Sequence, residues 1–466
     1  MSRIKKEHKD MKIPKRFILT GLICIVVSLV ILFLDHFSIL FVHQEYNSID
    51  RMFYFRNPLH KEGKVIEKNP RLNEDVVLVI IDDYTRATLK EDPYTGDALD
   101  RFLQRVTQAN TVSIHFDLEF ERLQKNPLFL AALKEYFEKN RNIFFNCYAE
   151  RISEESSPAR MQKEMFSLIE KFSFPMKWED KDLGEFEIKA VPGPMIIDHA
   201  RGIGHPLGDW DLDGVMRKEP AMIRIQDRLF PSVIILLAMH YYDISFDHVE
   251  IKRGKYIQFK QASLRIPVKD EFGDIVRFER KKEDITIPVD DDYKMFINYS
   301  GWGNEFKIQS QFISLADAFK IPFEYFNNKV VFVGSFNKNV DLWHTPHGFM
   351  YGVEVLAHSL NTIIQRDFLK TIPGFWKFVF LVLLSVLTGI MTQILKIWQS
   401  ALYLIGSFVA IFIISHFILF GKYNIIFPVT IPFYNVLFAF LASVLYRLYL
   451  REKEIKQLKP GNGKSG

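Results

Sequence analysis

The sequence predicts an α/β extracytoplasmic domain, with a largely parallel sheet flanked by helices, joined to an α-helical transmembrane region of one helix before it and three after. Three observations carry this. Four stretches, 17–34, 378–395, 401–420 and 423–446, hold no Asp, Glu, Lys or Arg, and each approaches or exceeds the roughly 20 apolar residues a bilayer crossing needs. Between the first and second of them, β-branched apolar runs alternate with helical patterns, the order that builds a parallel sheet with right-handed crossovers. Lys and Arg crowd both ends of the chain, which positive-inside orientation places in the cytoplasm.

Taken in order, residues 1–16 carry seven basic and two acidic side chains, and residues 447–466 carry six and two. The net charge of +4 over 466 residues therefore hides an acidic middle. Basic ends of this kind suit anionic inner-leaflet lipid rather than nucleic acid. The first span is longer than a signal-peptide core and Asp35-His36-Phe37 is no cleavage site, so it reads as an uncleaved anchor. The expected layout is a basic cytoplasmic segment 1–16, a span 17–34, an outer domain 43–374, spans 375–395, 401–420 and 423–446, and a cytoplasmic tail 447–466. That is the layout of a multi-pass inner-membrane protein. The two cysteines, Cys24 in the first span and Cys147 in the outer domain, cannot pair within one chain. Cys147 lies in an apolar run and reads as a small buried residue.

In the outer domain, 76–81 is a continuous β-branched run, the mark of a strand buried on both faces, and it ends at Asp82-Asp83. A helix over 97–110 follows, then a strand over 112–116 ending at Asp117. Asn126-Pro127 opens the next helix, to about Lys139, with Pro at a favoured first-turn position. A third strand spans 142–148. Beyond it come a loop at 153–157, a helix at 161–171, a charged exposed insertion at 177–189 and a further strand at 194–198. Strand character over 215–225, a helix over 231–242, hairpins over 256–288, a strand at 295–299 and a helix at 313–319 complete the middle. Val330-Val331-Phe332-Val333 then forms a strand ending at Gly334-Ser335. A polar loop, 336–351, leads into a helix over 352–364 with Val353, Leu356, Leu360, Ile363 and Ile364 on one face. This strand–loop–helix unit runs almost directly into the second span.

These residues resemble a known family. Val77-Leu78-Val79-Ile80-Ile81-Asp82-Asp83 and Val112-Ser113-Ile114-His115-Phe116-Asp117 are similar to the CHASE2 extracytoplasmic sensor domain. So are Gly202-Ile203-Gly204-His205 with Asp211-Leu212-Asp213-Gly214-Val215-Met216-Arg217-Lys218-Glu219-Pro220, and Phe296-Ile297-Asn298-Tyr299. The last matches are Val330-Val331-Phe332-Val333-Gly334-Ser335, then Asp341 with Thr345-Pro346, and Tyr351-Gly352-Val353-Glu354-Val355-Leu356-Ala357. Order and spacing make the resemblance specific, and it covers roughly 45–370 and the one-plus-three helix layout. In such proteins the three helices lead to a cytoplasmic adenylate cyclase, histidine kinase or protein kinase. Here 20 residues follow Tyr446, so no output of its own is expected and a separate cytoplasmic or membrane effector should read the signal.

Ligands of open parallel sheets bind outside the carboxyl ends of the strands. Asp82, Asp83, Asp117, Gly334 and Ser335 sit at such ends. With Asp211, Asp213, Arg217 and Asp341 from the matching stretches they are the candidate ligand contacts, although Asp at such places also caps helices and fixes turns. Residues 209–214 match half an EF-hand loop, but Pro220 stands where a bidentate Glu is needed. Asp341, His344 and His347 are metal-type ligands, but Pro346 breaks helical geometry and no HExxH arrangement is present. Gly463-Lys464-Ser465 echoes a phosphate loop without its first Gly. No metal, cofactor or catalytic residue is therefore expected.

In the spans, His416, Asn424 and Asn435 read as helix-contact groups, and Pro428 and Pro432 as the source of a bend or hinge. Leu448, Ile455 and Leu458 form a fragment of a heptad. The expected function is a sensor, not an enzyme, that responds to a small ligand or an envelope protein, sits in the bilayer as a homo-oligomer and binds no nucleic acid. The rivals are an anchored envelope-interaction protein and a metal-dependent hydrolase using Asp117, Asp341, His344 and His347.

Overall fold

Six parallel strands form the sheet of the outer unit: β1 (Val76–Ile81), β2 (Ser113–Asp117), β3 (Ile143–Asn146), β4 (Gly202–Gly204), β5 (Phe312–Ser314) and β6 (Val330–Ser335), in the order β5-β1-β6-β2-β3-β4. They belong to a computed structural model that describes residues 15–56, 69–90, 92–94, 97–118, 123, 125–139, 142–152, 163–270, 275–301, 305–308, 310–336 and 341–458. The expected 153–157 loop and the Gly463-Lys464-Ser465 stretch lie outside these residues.

The unbroken apolar run of β1 follows from its place in the middle of the sheet. Val77, Val79 and Ile81 enter one core with Phe102, Phe129, Leu133, Val331 and Val333. Val76, Leu78 and Ile80 enter the other, with Phe332, Leu237, Leu356 and Leu360. A strand whose side chains alternate between two buried faces must be apolar at every position. Each such side chain contributes roughly 1.5–3 kcal/mol on full burial. The Val233–Tyr241 and Gly352–Ile364 helices cover the second face.

Several expectations are corrected. Residues 194–198 are not a strand. Gly193 is extended, Pro194 supplies a helical φ at the first turn and Pro194–His199 is a short helix. Its adjacent Ile196 and Ile197 are both buried. The expected helix at 313–319 is shorter, Leu315–Ala318, because Phe312–Ser314 first pairs with β1 as an edge strand. β4 holds two glycines in three residues and carries almost no apolar pattern, and it forms the opposite edge beside β3. The helix over 231–242 begins at Val233, since Pro231 still pairs with Met222 and Ser232 is the cap. The charged 177–189 stretch is not simply exposed: Phe186–Ala190 pairs with Tyr148–Arg151, and Asp180 is buried, accepting from Tyr293 Oη at 2.7 Å. The hairpins over 256–288 are one long antiparallel pair, Tyr256–Lys269 with Ile275–Pro288.

The chain divides into two units, Asn57–Leu369 and Met1–Arg56 with Lys370–Gly466. The second contains α1 (Lys15–Phe37), α2 (Ile39–Arg56), α3 (Gly374–Ile394), α4 (Ile397–Ile413, continuing as a π-helix over Ile414–Phe420) and α5 (Thr430–Leu458). Four of its helices are long and apolar enough to cross a membrane, whereas α2 is much less apolar and packs against the π segment and α5. Small residues bring α1, α3 and α5 together. A Cβ on Gly389 would lie 2.5 Å from Cys24 Sγ and 2.9 Å from Thr20, so the glycine permits the close approach. Asn435 mediates helix contacts as expected: it accepts from Ser28 Oγ at 3.0 Å and donates to Leu381 O at 2.8 Å. The prolines do not kink the last span. Pro428 precedes α5 and Pro432 lies in its first turn, where a missing N–H breaks no bond.

Candidate ligand site at the carboxyl edge of the sheet

At the end of β1, Asp82 is extended and its carboxylate accepts from Thr85 N and from Ser314 Oγ, both at 2.8 Å. It caps the Asp83–Leu89 helix and ties it to β5, both bonds falling on Oδ1, so that oxygen is engaged structurally. Asp83 is exposed and pairs with Arg86 at 3.2 Å, a surface contact of little energetic weight. Arg86 also donates to Ser335 Oγ at 3.3 Å. Gly334 serves packing: a Cβ there would lie 2.7 Å from the Val353 side chain.

The neighbouring ends of β2 and β3 hold a different arrangement. His115 Nε2 lies 2.9 Å from Asn146 Oδ1, and Asn146 Nδ2 donates to Asp117 Oδ1 at 2.5 Å. With Asn146 donating to Asp117, its carbonyl accepts from His115, which sets the imidazole tautomer. Burial pushes His115 down to about 4, so it is neutral. Burial, and secondly the like charge of Asp341, pushes Asp117 up to about 7, against the Asn146 hydrogen bond. Asp341 is also raised by burial, opposed by the Trp343 and Gly352 N–H groups. Burial thus favours the protonated form of both carboxyls, and the charge of Asp341 adds to the effect at Asp117.

Asp341 has a mechanical position as well. It accepts from Trp343 Nε1 at 2.5 Å and from Gly352 N at 3.1 Å. It therefore ties the Leu342–Thr345/Gly348–Tyr351 hairpin to the amino end of the Gly352–Ile364 helix. A carboxylate is favoured at that end of a helix.

Asp211, Asp213 and Arg217 form a third group. Arg217 is fully buried and its Nη1 donates to Asp211 at 2.8 Å and to Asp213 at 3.0 Å, while Nη2 donates to Asp213 at 2.7 Å. Both carboxylates face an arginine rather than a vacant cation position, so the EF-hand resemblance is a turn. This turn locks onto the hairpin: Met216 N donates to His344 O at 2.7 Å, and Trp210 stacks on Trp343 at 4.9 Å. His344 stacks on Phe349 while His347 is buried. Among the described residues no group of His, Cys, Asp and Glu comes together to hold a metal.

The structure thus joins Asp117 and Asp341, joins Asp211, Asp213 and Arg217, links the two groups through Trp210 and Trp343, and leaves Asp83 at the surface. Sequence reasoning missed Asn146 and His115: it carried the third strand on to 148, whereas the strand ends at Asn146, where the rule that selected Asp117 applies equally. It also missed Glu219, which is buried and pushed up to about 7 by that burial, against the Ser359 and Ser232 hydroxyls. Cys147 is buried and free, its thiol pushed up to about 12 by burial, and so unreactive.

No curated protein and no solved structure gives a significant match to the chain. A family model described as the CHASE2 domain matches residues 23–391, most of the chain, including the sheet, the Asp117–Asp341 edge and most of α1 and α3. The chain therefore belongs to the CHASE2 family of extracytoplasmic sensory domains.

Proposed function

We propose that this chain is a membrane-anchored receptor in which a ligand or partner binds at the carboxyl edge around Asp117 and Asp341. Binding favours one arrangement of the 341–351 hairpin and the Gly352–Ile364 helix, and the second span passes that shift to the helices beyond. The observation that carries this reading is the double engagement of Asp341, which bonds both the hairpin and the first turn of a helix that ends ten residues before α3. A ligand must bind the two arrangements with different affinity for anything to move. The exposed Trp210, Leu212, Leu342 and Phe349 around the hairpin favour an envelope protein over a small polar molecule as what is sensed.

The receptor works as a homo-oligomer in the inner membrane with both ends in the cytoplasm, and a separate effector reads it. In support, α5 continues as helix to Leu458 and leaves Leu448, Tyr449 and Ile455 exposed, an apolar face for a partner helix. The test is a crosslinking pull-down from membranes, comparing the full chain with one ending at Tyr446. Capture of a cyclase, kinase or other effector only when residues 447–466 are present supports the reading. Identical partners with and without them, all contacting the outer unit, overturn it in favour of an anchored interaction protein.

A further inference from the structure

The helical unit contains a crevice between α3, α4 and α5 whose wall includes Thr392, Ile397, Ser400, Arg447, Leu448 and Arg451. Its enclosed volume is about 20 Å³, room for one small group rather than a whole molecule. Arg447 Nη1 donates to the Thr392 and Leu395 carbonyls, both at 2.7 Å. Those bonds cap the exposed carbonyls at the end of α3 and hold the guanidinium in place, and they leave its other N–H groups for an acceptor. Arg451 follows one turn later on α5, exposed and on the same helix face. Among the described residues neither arginine forms a carboxylate pair, whereas Lys456 on the same helix is paired with Glu452 at 2.6 Å.

The surroundings are those of a membrane boundary. Ile397, Trp398 and Leu448 are exposed apolar side chains, and Lys396 precedes α4. Trp beside Lys at a helix end is an interfacial anchor. Thr20 and Ser443 meet at Gly389, so Lys15 and Arg16 of α1 lie at this same end of the bundle. A fixed guanidinium, Arg447, with a second, exposed one, Arg451, beside an apolar wall matches a phosphate joined to an acyl glycerol.

We propose that Arg447 and Arg451 bind the phosphate of an anionic phospholipid at this crevice. Because Arg447 already joins α3 to α5, lipid bound there steadies the junction of the helices that follow the sensor domain.

The experiment uses the full chain in nanodiscs of phosphatidylcholine with phosphatidylglycerol, reading the phosphatidylglycerol retained by native mass spectrometry. Arg451→Gln, which breaks no hydrogen bond or ion pair among the described residues, is expected to lower retention several-fold, and Arg447→Gln with Arg451→Gln about tenfold or more, the loss expected for charge-assisted bonds. Lys456→Gln should leave retention unchanged. The proposal fails if Arg451→Gln retains lipid like the unaltered protein, or if Lys456→Gln loses it equally, which would mark diffuse attraction. Displacement of the lipid by inorganic phosphate would assign the site to free phosphate and overturn the lipid reading.

Discussion

Replacing Asp117 by Asn tests the carboxylate pair directly. In the folded protein Asp117 holds its proton up to about 7, from an ordinary value of 3.8. Folding therefore raises this pKa, so the folded state binds more protons than the unfolded one between these values. Stability is fully present below about pH 4, falls as pH rises towards 7 and is level above that. A shift of about three units amounts to a ceiling of about 4 kcal/mol, reduced by whatever solvent screens at this partly exposed edge. Asn at 117 stays uncharged, keeps an oxygen for Asn146 Nδ2 and removes the charge that would face Asp341. The variant should match the unaltered protein near pH 4 and exceed it near pH 8 by up to roughly 8 °C in melting temperature. The assay is thermal unfolding of the full chain in nanodiscs, followed by tryptophan fluorescence at several pH values. A shift of the same size at every pH, or destabilisation near pH 8, would refute the raised Asp117 pKa.

Three further outcomes follow from named contacts. Glu219→Gln removes a buried carboxyl raised to about 7 from 4.5. It should stabilise by up to roughly 3 kcal/mol above pH 7 and by nothing near pH 4, measured by urea unfolding; a loss above pH 7 contradicts the burial argument. Arg217→Met leaves Asp211 and Asp213 without their cation and should cost about 3–5 kcal/mol near pH 7. The deficit should shrink on acidification as the two carboxylates protonate, and a pH-independent deficit would show that lost packing dominates instead. Gly389→Val drives a branched side chain into Cys24 and Thr20 and should cost about 1–3 kcal/mol, read as unfolding at lower SDS; unchanged resistance would mean that α1 and α3 do not meet there.

The site was legible only in part. Asp117 was found because it follows Phe116 at the end of the short β2 strand, and the strand-end rule needs nothing more. Asp341 was found from the family resemblance, and its meeting with Asp117 brings together residues more than 200 positions apart in the chain. Asp82 shows the opposite case. It stands at a strand end just as Asp117 does, yet a helix starts immediately after it and takes its carboxylate as a cap. Strand-end position alone cannot separate the two, because the difference lies in which backbone N–H groups come next in space. Arg217 carries no sign in the sequence of being buried, since its burial depends on the Asp211–Asp213 turn closing over it.

The sequence by itself determined the class: the apolar runs of β1, β3 and β6, the mixed strand β2, the helix that precedes the second span and the four apolar helices. Each rests on local periodicity and on lengths that water and lipid impose. Only the tertiary structure decided the edges of the sheet, the approach of Asp341 to Asp117, the burial of Arg217 and Glu219, and the start of α5 at Thr430, beyond Pro428. These depend on which distant segment occupies the adjacent space, and that is a property of the packed chain rather than of any stretch along it.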